Sequence, residues 1–277
     1  MNPRIRAWAA ARYTALESLS PLKNSKGAAM DIEVARVEVK EILPLRELYR
    51  QEMRCQIIHD SFPRRGFSDP YLIRLAGRLA GYGLVANQHY PDTVNEFYTL
   101  PDCRAMALPM IRHLLEVSKA TQIRAQSNDR LLLLMLYDCA ADITSDTILF
   151  DDSFPTHLHC PTGIFRRVTD ADKDRLFEHK HEPDGDWMIE CDGVAVATGG
   201  ALFHYNPPYG DLYMEVHESY RRRGFGSYLL QELKKVSYEM GKIPAARCNV
   251  ANVASRKTLQ KAGLLPCGRV LQGNVVR

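Results

Sequence analysis

The chain has 277 residues, 45% of them hydrophobic, which is enough to bury a large core in one large domain or two small ones. No apolar run reaches the roughly 20 residues of a membrane-spanning helix, and the seven cysteines, odd in number and without a C-x-x-C spacing, argue against a disulfide framework or zinc knuckle. We therefore expect a protein of the reducing cytoplasm that has no membrane segment and no metal.

Residues 1–29 differ in composition from the rest of the chain. They hold five basic residues against the single acid Glu17, so the formal net charge of +3 comes largely from this segment. The remainder is close to neutral and lacks the basic surface of a nucleic-acid binder. Because 30–34 resembles the opening of a domain, we interpret 1–29 as a basic N-terminal extension, either disordered or due to an early start site. Its composition also leaves a transit peptide open.

The first elements alternate between helix and strand. A helix is predicted through Leu45 and Met53, followed by a hairpin at 69–86 with its turn at Gly77. An amphipathic helix, a short strand and a second helix follow, at 107–120, 121–125 and 131–137.

The second part of the chain repeats this order. A hairpin at 186–202 turns at Asp192–Gly193, and a strand at 212–216 precedes a helix at 227–240. A strand at 245–250 and a helix opened by Asn252 and ending near Gly263 complete the unit. The interval from Gly77 to Arg104 is 27 residues, and that from Gly193 to Arg221 is 28, so we interpret the chain as two copies of one α/β unit.

A glycine loop joins the strand at 212–216 to the helix at 227–240. Its residues 221–226 read Arg-Arg-Arg-Gly-Phe-Gly. The first N–H groups of a helix have no intrahelical partner and carry partial positive charge, and glycines let a phosphate approach the backbone. Arginine adds forked donors for phosphate oxygens, so the loop predicts a site for a phosphate anion.

Two motifs in this region resemble the GNAT superfamily of acyl-CoA-dependent N-acyltransferases. The family signature Gln/Arg-x-x-Gly-x-Gly/Ala is met at Arg221, Gly224 and Gly226. A second landmark is an Asn-x-x-Ser followed by Leu, Lys and Gly. It is matched by Asn252, Ser255, Leu259, Lys261 and Gly263.

This resemblance implies an acetyl-CoA site with no metal. Along the strand we expect backbone pairing with pantetheine, and at the loop we expect the backbone to wrap the pyrophosphate. The last helix is expected to contact the cofactor, with added positive charge from Arg256 or Lys257. The implied residues are Met214, Glu215, Val216, Arg221, Arg222, Arg223, Gly224, Phe225, Gly226, Ser227, Asn252 and Ser255.

The expected fold is α/β (α+β) with two tandem GNAT-like domains, each a mixed, mostly antiparallel sheet flanked by helices. Where the second copy has its glycine loop, the first has Cys103 to Pro109 without glycine, so side chains would fill the phosphate space. We therefore predict a degenerate domain at 30–150, a linker at 151–163 and an acetyl-CoA-binding domain at 164–277.

The catalytic groups are less defined. Many GNAT relatives carry a tyrosine acid seven residues after the Asn, where this chain has Leu259, and the usual base positions are Gly210 and Leu212. We consider Glu215 or Asp211 as the base and Tyr213 as an acid, if a bulge turns them toward the substrate. The alternative is that all three are ordinary polar strand residues.

Other polar clusters allow further interpretations. His204, Tyr205 and Tyr209 precede the motif strand, where the acceptor usually enters in this family. Glu52, Gln56, His59 and Asp60 could line an acceptor pocket, although a solvated helix end explains them better. Two His-containing stretches, 157–160 and 179–182, lack a second set of metal ligands.

The resemblance implies transfer of an acetyl group from acetyl-CoA to a primary amine of a small molecule or peptide. A non-catalytic acyl-CoA sensor or partner module is the alternative. A nucleic-acid binder using the arginine triplet is a third class, disfavoured by the near-neutral body. Oligomeric state and acceptor identity are left open by the sequence.

Overall fold

The computed structural model describes residues 31–53, 60–180, 182–204 and 206–276. The predicted extension 1–29 and the candidate residues Gln56, His59, His181 and Tyr205 lie outside these ranges. None of the described helices is long and apolar enough to cross a membrane.

The first half of the fold runs from strand β1 to strand β6. Its strands are β1 (Ile32–Arg36), β2 (Ser68–Leu75), β3 (Arg78–Ala86), β4 (Thr93–Thr99), β5 (Gln122–Gln126) and β6 (Ala140–Asp152). Its helices are α1 (Val39–Glu52), α2 (Ser61–Arg64), α3 (Ala107–Ser118) and α4 (Arg130–Cys139), with a 3-10 turn at Pro101–Met106.

The second half repeats the first in the order of its elements. Its strands are β7 (Ile164–Arg167), β8 (Trp187–Cys191), β9 (Val194–Leu202), β10 (Tyr209–Val216), β11 (Ile243–Asn249) and β12 (Leu264–Val275). Helices α5 (Phe225–Glu239) and α6 (Val253–Lys261) correspond to α3 and α4, and 3-10 turns lie at Asp170–Arg175 and Glu218–Tyr220. The predicted duplication is therefore present as two α/β halves.

The twelve described strands form one sheet in the order β1-β2-β3-β4-β5-β12-β6-β11-β10-β9-β8-β7. All neighbours are antiparallel except the pairs β4–β5 and β10–β11. Each strand of the first half has a counterpart six numbers later, as β1 has β7. When every strand is replaced by its counterpart, the order read from one end equals the order read from the other. The halves exchange their last strands: β12 pairs with β5 of the first half, and β6 pairs with β11 of the second. The two units thus share one continuous sheet.

Both predicted hairpins are present, and the backbone conformation of their turns explains why a glycine occurs in each. Ala76 and Gly77 have φ of 50° and 74°, and Asp192 and Gly193 have φ of 48° and 77°. Two consecutive residues with positive φ match the right-handed twist of the flanking strands, and glycine tolerates this conformation without cost.

Some predicted boundaries differ from the structure. Helix α5 begins at Phe225, two residues earlier than predicted, because Gly224 takes the N-cap position. Strand β6 extends to Asp152, so the first two residues of the predicted linker 151–163 belong to the sheet. They are held there by β11 and β12, which contact β6 on its two sides and which sequence spacing does not reveal.

The strands of the second half have two different faces. Leu212, Met214 and Val216 of β10 pack with α5 residues such as Leu229 and Leu233 in one hydrophobic cluster. Because side chains alternate along a strand, Asp211, Tyr213 and Glu215 lie on the opposite face. The face covered by α5 and α6 is therefore apolar, and the other carries the titratable groups of β10.

Candidate functional site

Strands β10 and β11 separate partway along their length. They pair in parallel from Tyr209–Ile243 to Asp211–Ala245 and diverge beyond this point. The rest of β10, up to Val216, keeps its antiparallel partner β9. One backbone edge of β10 therefore faces a wedge-shaped gap and can pair with an extended ligand.

The N-terminus of α5 lies at the open end of this gap. Its N-cap, Gly224, has φ of 90°, and no described side chain caps the helix. Arg222 also has a positive φ, 63°, which is uncommon for a non-glycine residue. The N–H groups of the first turn are thus unsatisfied within the helix and point, with its dipole, at a potential anion.

A groove of about 990 Å³ connects these features. It is lined by eleven of the twelve residues predicted to bind the cofactor: Met214, Glu215, Val216, Arg221, Arg222, Gly224, Phe225, Gly226, Ser227, Asn252 and Ser255. Arg223 is the exception, and its guanidinium lies over the Tyr220 ring, 5.2 Å from the centroid. The predicted residues are distant in sequence, yet the fold brings them around one groove.

The groove also contains residues that the sequence analysis missed or left uncertain. Lys257 and Lys261, four residues apart on α6, add positive charge next to the glycine loop, whereas Arg256 is not among the lining residues. Lys180 and Glu182 approach from the segment before β8. The helical spacing of the two lysines was a usable signal, but the position of Lys180 and Glu182 depends on tertiary contacts.

Gly226 packs tightly inside the groove wall. A Cβ at this position would lie 3.1 Å from Thr258 Cγ2, 3.1 Å from Val216 Cγ2 and 3.2 Å from Met214 Sδ. The glycine therefore lets α5 approach both β10 and α6. This close approach places the first turn of α5 beside the edge of β10.

Asn252 has a local structural role as well as its position in the groove. Its side chain accepts a hydrogen bond of 3.0 Å from the Ser255 N–H and so caps α6. The Asn-x-x-Ser spacing is therefore explained by helix capping before any ligand is considered.

The three catalytic candidates on β10 have different surroundings. Only Glu215 lines the groove, where its Oε2 accepts a hydrogen bond of 3.1 Å from the Lys180 N–H. Asp211 is 5% exposed and pairs with Arg247 at 3.1 Å, away from the groove lining. Tyr213 donates its hydroxyl to the Asp184 carbonyl at 3.1 Å.

The environment of Tyr213 makes it a poor acid. Burial, followed by the nearby carboxylates of Asp186, Glu182 and Asp184, raises the pKa of its phenol to about 12. The phenol therefore releases its proton only in strongly alkaline solution. The bulge that would turn Tyr213 and Asp211 toward the groove is absent, because β10 and β9 pair in regular register from Asp211 to Val216.

The other candidates for an acceptor pocket are engaged elsewhere. Asp60 accepts ion pairs from Arg46, Arg50 and Arg64, and Glu52 pairs with Arg104 and Tyr98, all within the first half. None of these carboxylates lines the groove.

His204 and Tyr209 also lie outside the groove lining. Burial, followed by the positive charges of Arg247 and Arg65, lowers the pKa of His204. In the part of the chain that is described, no group of three or more His, Cys, Asp or Glu residues is arranged to hold a metal.

Comparisons with known proteins agree with this geometry. A family model described as "Acetyltransferase (GNAT) family" matches residues 150–264. No curated protein sequence matches the chain. A GNAT-family acetyltransferase from Colwellia psychrerythraea is similar in structure, with a TM-score of 0.70, 13% identity and coverage of 89% of this chain and 100% of the other. A Drosophila protein has a TM-score of 0.52, 14% identity and coverage of 88% and 98%.

At these identities the two solved structures establish the fold alone, over nearly the full length of each chain. The sequence match covers the glycine loop, the separated strands and the N-terminus of α5. The segment 150–264 is therefore a domain of the GNAT acetyltransferase family.

Proposed function

We propose that this protein is an N-acetyltransferase that moves an acetyl group from acetyl-CoA to a primary amine of a small molecule or peptide. Acyl transfer from an acyl-CoA to an amine is the general activity of the family. The observation that carries the proposal is the uncapped N-terminus of α5 next to the edge of β10 that has no described strand partner beyond Asp211.

The groove suits acyl-CoA in shape and charge. Its volume of about 990 Å³ lies at the upper end of the roughly 300–1,000 Å³ of small-molecule sites. Arg221, Arg222, Lys257 and Lys261 make one end basic, beside the first turn of α5. These groups would hold the phosphates, while the edge of β10 at Met214 to Val216 would pair with the pantetheine amides.

The inner end of the groove favours a short acyl group. On β10 the groove lining begins at Met214. Leu212, two residues earlier on the same face of the strand, is 4% exposed and packed in the core. Cys248 of β11 is 7% exposed in the same cluster. A long acyl chain would have to displace these side chains, whereas an acetyl group would not.

Direct attack by the amine accounts for the chemistry with the groups present. Glu215, a carboxylate on the groove wall, would first take one proton from the bound ammonium, directly or through water, so that the neutral amine can attack. The new C–N bond then forms at the thioester carbon of a bound acyl-CoA, and a backbone N–H near Val216 would stabilise the oxyanion. The C–S bond breaks as the oxyanion collapses. The nitrogen gives up its second proton, and the departing thiolate takes up one proton to leave as the free thiol.

Two measurements test this proposal. Calorimetric titration with acetyl-CoA should show saturable binding, and a panel of primary amines should include at least one that accelerates thiol release from acetyl-CoA. Mass spectrometry of a cell extract incubated with the protein and acetyl-CoA would then identify the acetylated acceptor. Absence of acetyl-CoA binding by a folded protein would falsify the proposal.

A non-catalytic acyl-CoA-binding module is the second candidate. It is favoured by the engagement of Asp211 with Arg247 and of Tyr213 with Asp184, and by Leu259 at the position where many relatives have a tyrosine. Binding of acetyl-CoA without thiol release for any amine would favour this candidate over the enzyme.

A further inference from the structure

The segment before β8, of which the structure describes residues 179–180 and 182–185, is fastened across the titratable face of β9 and β10. His179 Nε2 bonds with the Thr198 hydroxyl of β9, and the next residue, Lys180, donates its N–H to Glu215 of β10. Thr198 and Glu215 are direct cross-strand partners. Two consecutive residues of the segment are thus held by one pair of the sheet.

The other end of the segment is held by the next pair on the same face. Tyr213 is the cross-strand partner of Gly200, and its hydroxyl donates to the Asp184 carbonyl at 3.1 Å. A Cβ on Gly200 would lie 2.7 Å from the Tyr213 hydroxyl oxygen, so the missing side chain leaves room for the ring.

Close backbone packing supports the same attachment. A Cβ on Gly185 would overlap the backbone of Gly199, which means that the two main chains pass in direct contact. Gly185 therefore lets the segment approach β9, and Gly200 leaves room for the Tyr213 ring, which explains a glycine in a buried strand where glycine ordinarily weakens the structure. A Cβ on Gly199 would instead meet β10, 2.4 Å from the Tyr213 carbonyl oxygen.

The segment also forms part of the groove. Lys180 and Glu182 line it together with Glu215. Since the segment lies on the face away from α5 and α6, it borders the groove on the side that the proposed phosphate and pantetheine contacts do not use. An acceptor approaching Glu215 from that side must pass this wall.

We propose that Tyr213 and Thr198 are positioning residues that fasten the described residues of this segment, 179–180 and 182–185, as the acceptor-side wall of the groove, so that they set the affinity for the amine without taking part in proton transfer. This inference rests on the proposed function, since it assigns a role in amine binding.

The test compares Tyr213→Phe and Thr198→Val with the full-length wild type. Each variant removes one hydroxyl and keeps the bulk of the side chain. Tyr238→Phe is the matched control, because it also removes one tyrosine hydroxyl bond, 2.7 Å to Asp152, on the far end of α5. Circular dichroism first establishes that all variants are folded.

The hydrogen-exchange rates of backbone amides in the unliganded protein measure how firmly the segment is held against the sheet. Loss of one hydrogen bond should speed exchange of the amides in 177–186 by roughly 5- to 10-fold in both variants, while Tyr238→Phe leaves them unchanged. Unchanged exchange in Tyr213→Phe and Thr198→Val would overturn the inference, whatever the activity of the protein.

Kinetics then separate positioning from proton transfer. The amine used is the one that releases thiol fastest from acetyl-CoA in a panel of amino acids, diamines and short peptides. We expect Tyr213→Phe to raise the KM for this amine about 5- to 10-fold, with kcat, acetyl-CoA affinity and the pH profile nearly unchanged.

Two kinetic outcomes contradict the inference. A fall of kcat by about 100-fold or more with a shifted alkaline limb would make Tyr213 an acid, and faster exchange without a change in KM would remove the segment from the amine site. If the wild type binds no acetyl-CoA and releases no thiol, the proposed function itself fails, a result distinct from either of these.

Discussion

Arg46 of α1 and Glu96 of β4 form a buried, two-point ion pair. Arg46 Nε lies 2.8 Å from Glu96 Oε2, Arg46 Nη2 lies 2.6 Å from Glu96 Oε1, and both side chains are fully buried. Arg46 also reaches Asn206 of the second half at 3.4 Å. The ion pair therefore lies in the core of the first half, between α1 and β4, and its arginine contacts the loop that leads to β10.

Removal of the arginine should strongly destabilise the protein. Arg46→Met leaves the Glu96 carboxylate buried without its main partner, which costs about 3–5 kcal/mol in the free energy of unfolding. Urea denaturation measures the change. The double variant Arg46→Met with Glu96→Leu should recover a large part of this loss, because the unpaired Glu96 charge is gone and Asp60, the other carboxylate bonded to Arg46, keeps its ion pairs with Arg50 and Arg64. Equal stability of Arg46→Met and wild type would contradict the expectation.

The glycine loop offers a matched pair of variants. Gly224 and Gly241 flank α5 and have φ of 90° and 70°, so an alanine at either position is strained by about 1–2 kcal/mol. Gly224 lines the groove, whereas Gly241 lies at the other end of the helix with nothing within 4 Å of an added Cβ. Gly224→Ala should weaken acetyl-CoA binding about tenfold by moving the first N–H groups of α5. Gly241→Ala should lose similar stability but keep its affinity in calorimetric titration.

Neighbouring arginines should contribute unequally to binding. Arg222 lines the groove, whereas Arg223 is not among the lining residues and stacks on Tyr220. Arg222→Gln should weaken acetyl-CoA binding about fivefold through the loss of one charge-assisted contact, and Arg223→Gln less than twofold. The difference should shrink at high ionic strength, since exposed charges are screened. A larger effect from Arg223 in the titrations would mean that the triplet binds the phosphates in a different conformation.

Local sequence features predicted much of this site because the relevant physics is local. The turn glycines Gly77 and Gly193, the apolar stripe of α5 and the cap at Asn252 depend on neighbours within a few residues. Eleven of the twelve residues that the motif spacing predicts to contact the cofactor line the groove.

The remaining features depend on distant partners. The pairing of β6 and β12 with strands of the other half depends on packing between the halves. The sequence of each strand by itself does not specify its neighbours in the sheet. The stacking of Arg223 on Tyr220 and the bond from Tyr213 to Asp184 likewise require the folded chain. Strand alternation predicts only that Asp211, Tyr213 and Glu215 share one face of β10. Their different partners in the folded protein show that Glu215 alone of the three lines the groove.

Asp172 predicts a pH-dependent stability. Its side chain accepts hydrogen bonds from Arg166 at 2.7 Å and from the Thr169 N–H at 2.9 Å, and these bonds, with the one from Arg166 first, hold its pKa well below the ordinary range. The pKa of this carboxyl is near 4 in the unfolded chain and lower in the folded protein, so the ionised carboxylate stabilises the fold above about pH 4. This stabilisation is lost progressively as the pH falls below that value. Asp172→Asn should therefore be less stable than wild type at pH 7, with a gap that narrows steadily as the pH falls from about 4 to 2.

Asp170 serves as the control for this experiment. It lies on the same 3-10 turn, but its side chain is 96% exposed and pairs with Lys173. Exposed ion pairs contribute little, so urea denaturation of Asp170→Asn should give a small difference from wild type at every pH. A gap for Asp172→Asn that stays constant down to pH 2 would show that its carboxylate does not titrate as expected.

The exchanged strands predict that the halves unfold together. Because β6 lies between β12 and β11, and β12 lies between β5 and β6, neither half can lose its structure without removing partners from the other. Trp187, stacked on Phe165 at 4.9 Å, reports on the second half by fluorescence once Trp8 is replaced by Phe. Its urea transition should coincide with that of far-UV circular dichroism, as two-state unfolding requires.

The destabilising Arg46→Met variant turns this coincidence into a stricter test. Arg46 belongs to the first half and Trp187 to the second, yet loss of the buried arginine should lower the urea midpoint seen by Trp187 as much as the midpoint seen by circular dichroism. The reason is thermodynamic, since one cooperative unit has one free energy of unfolding, whichever residue is changed. If the Trp187 transition keeps its wild-type midpoint while the circular dichroism separates into two steps, the exchanged strands do not couple the halves.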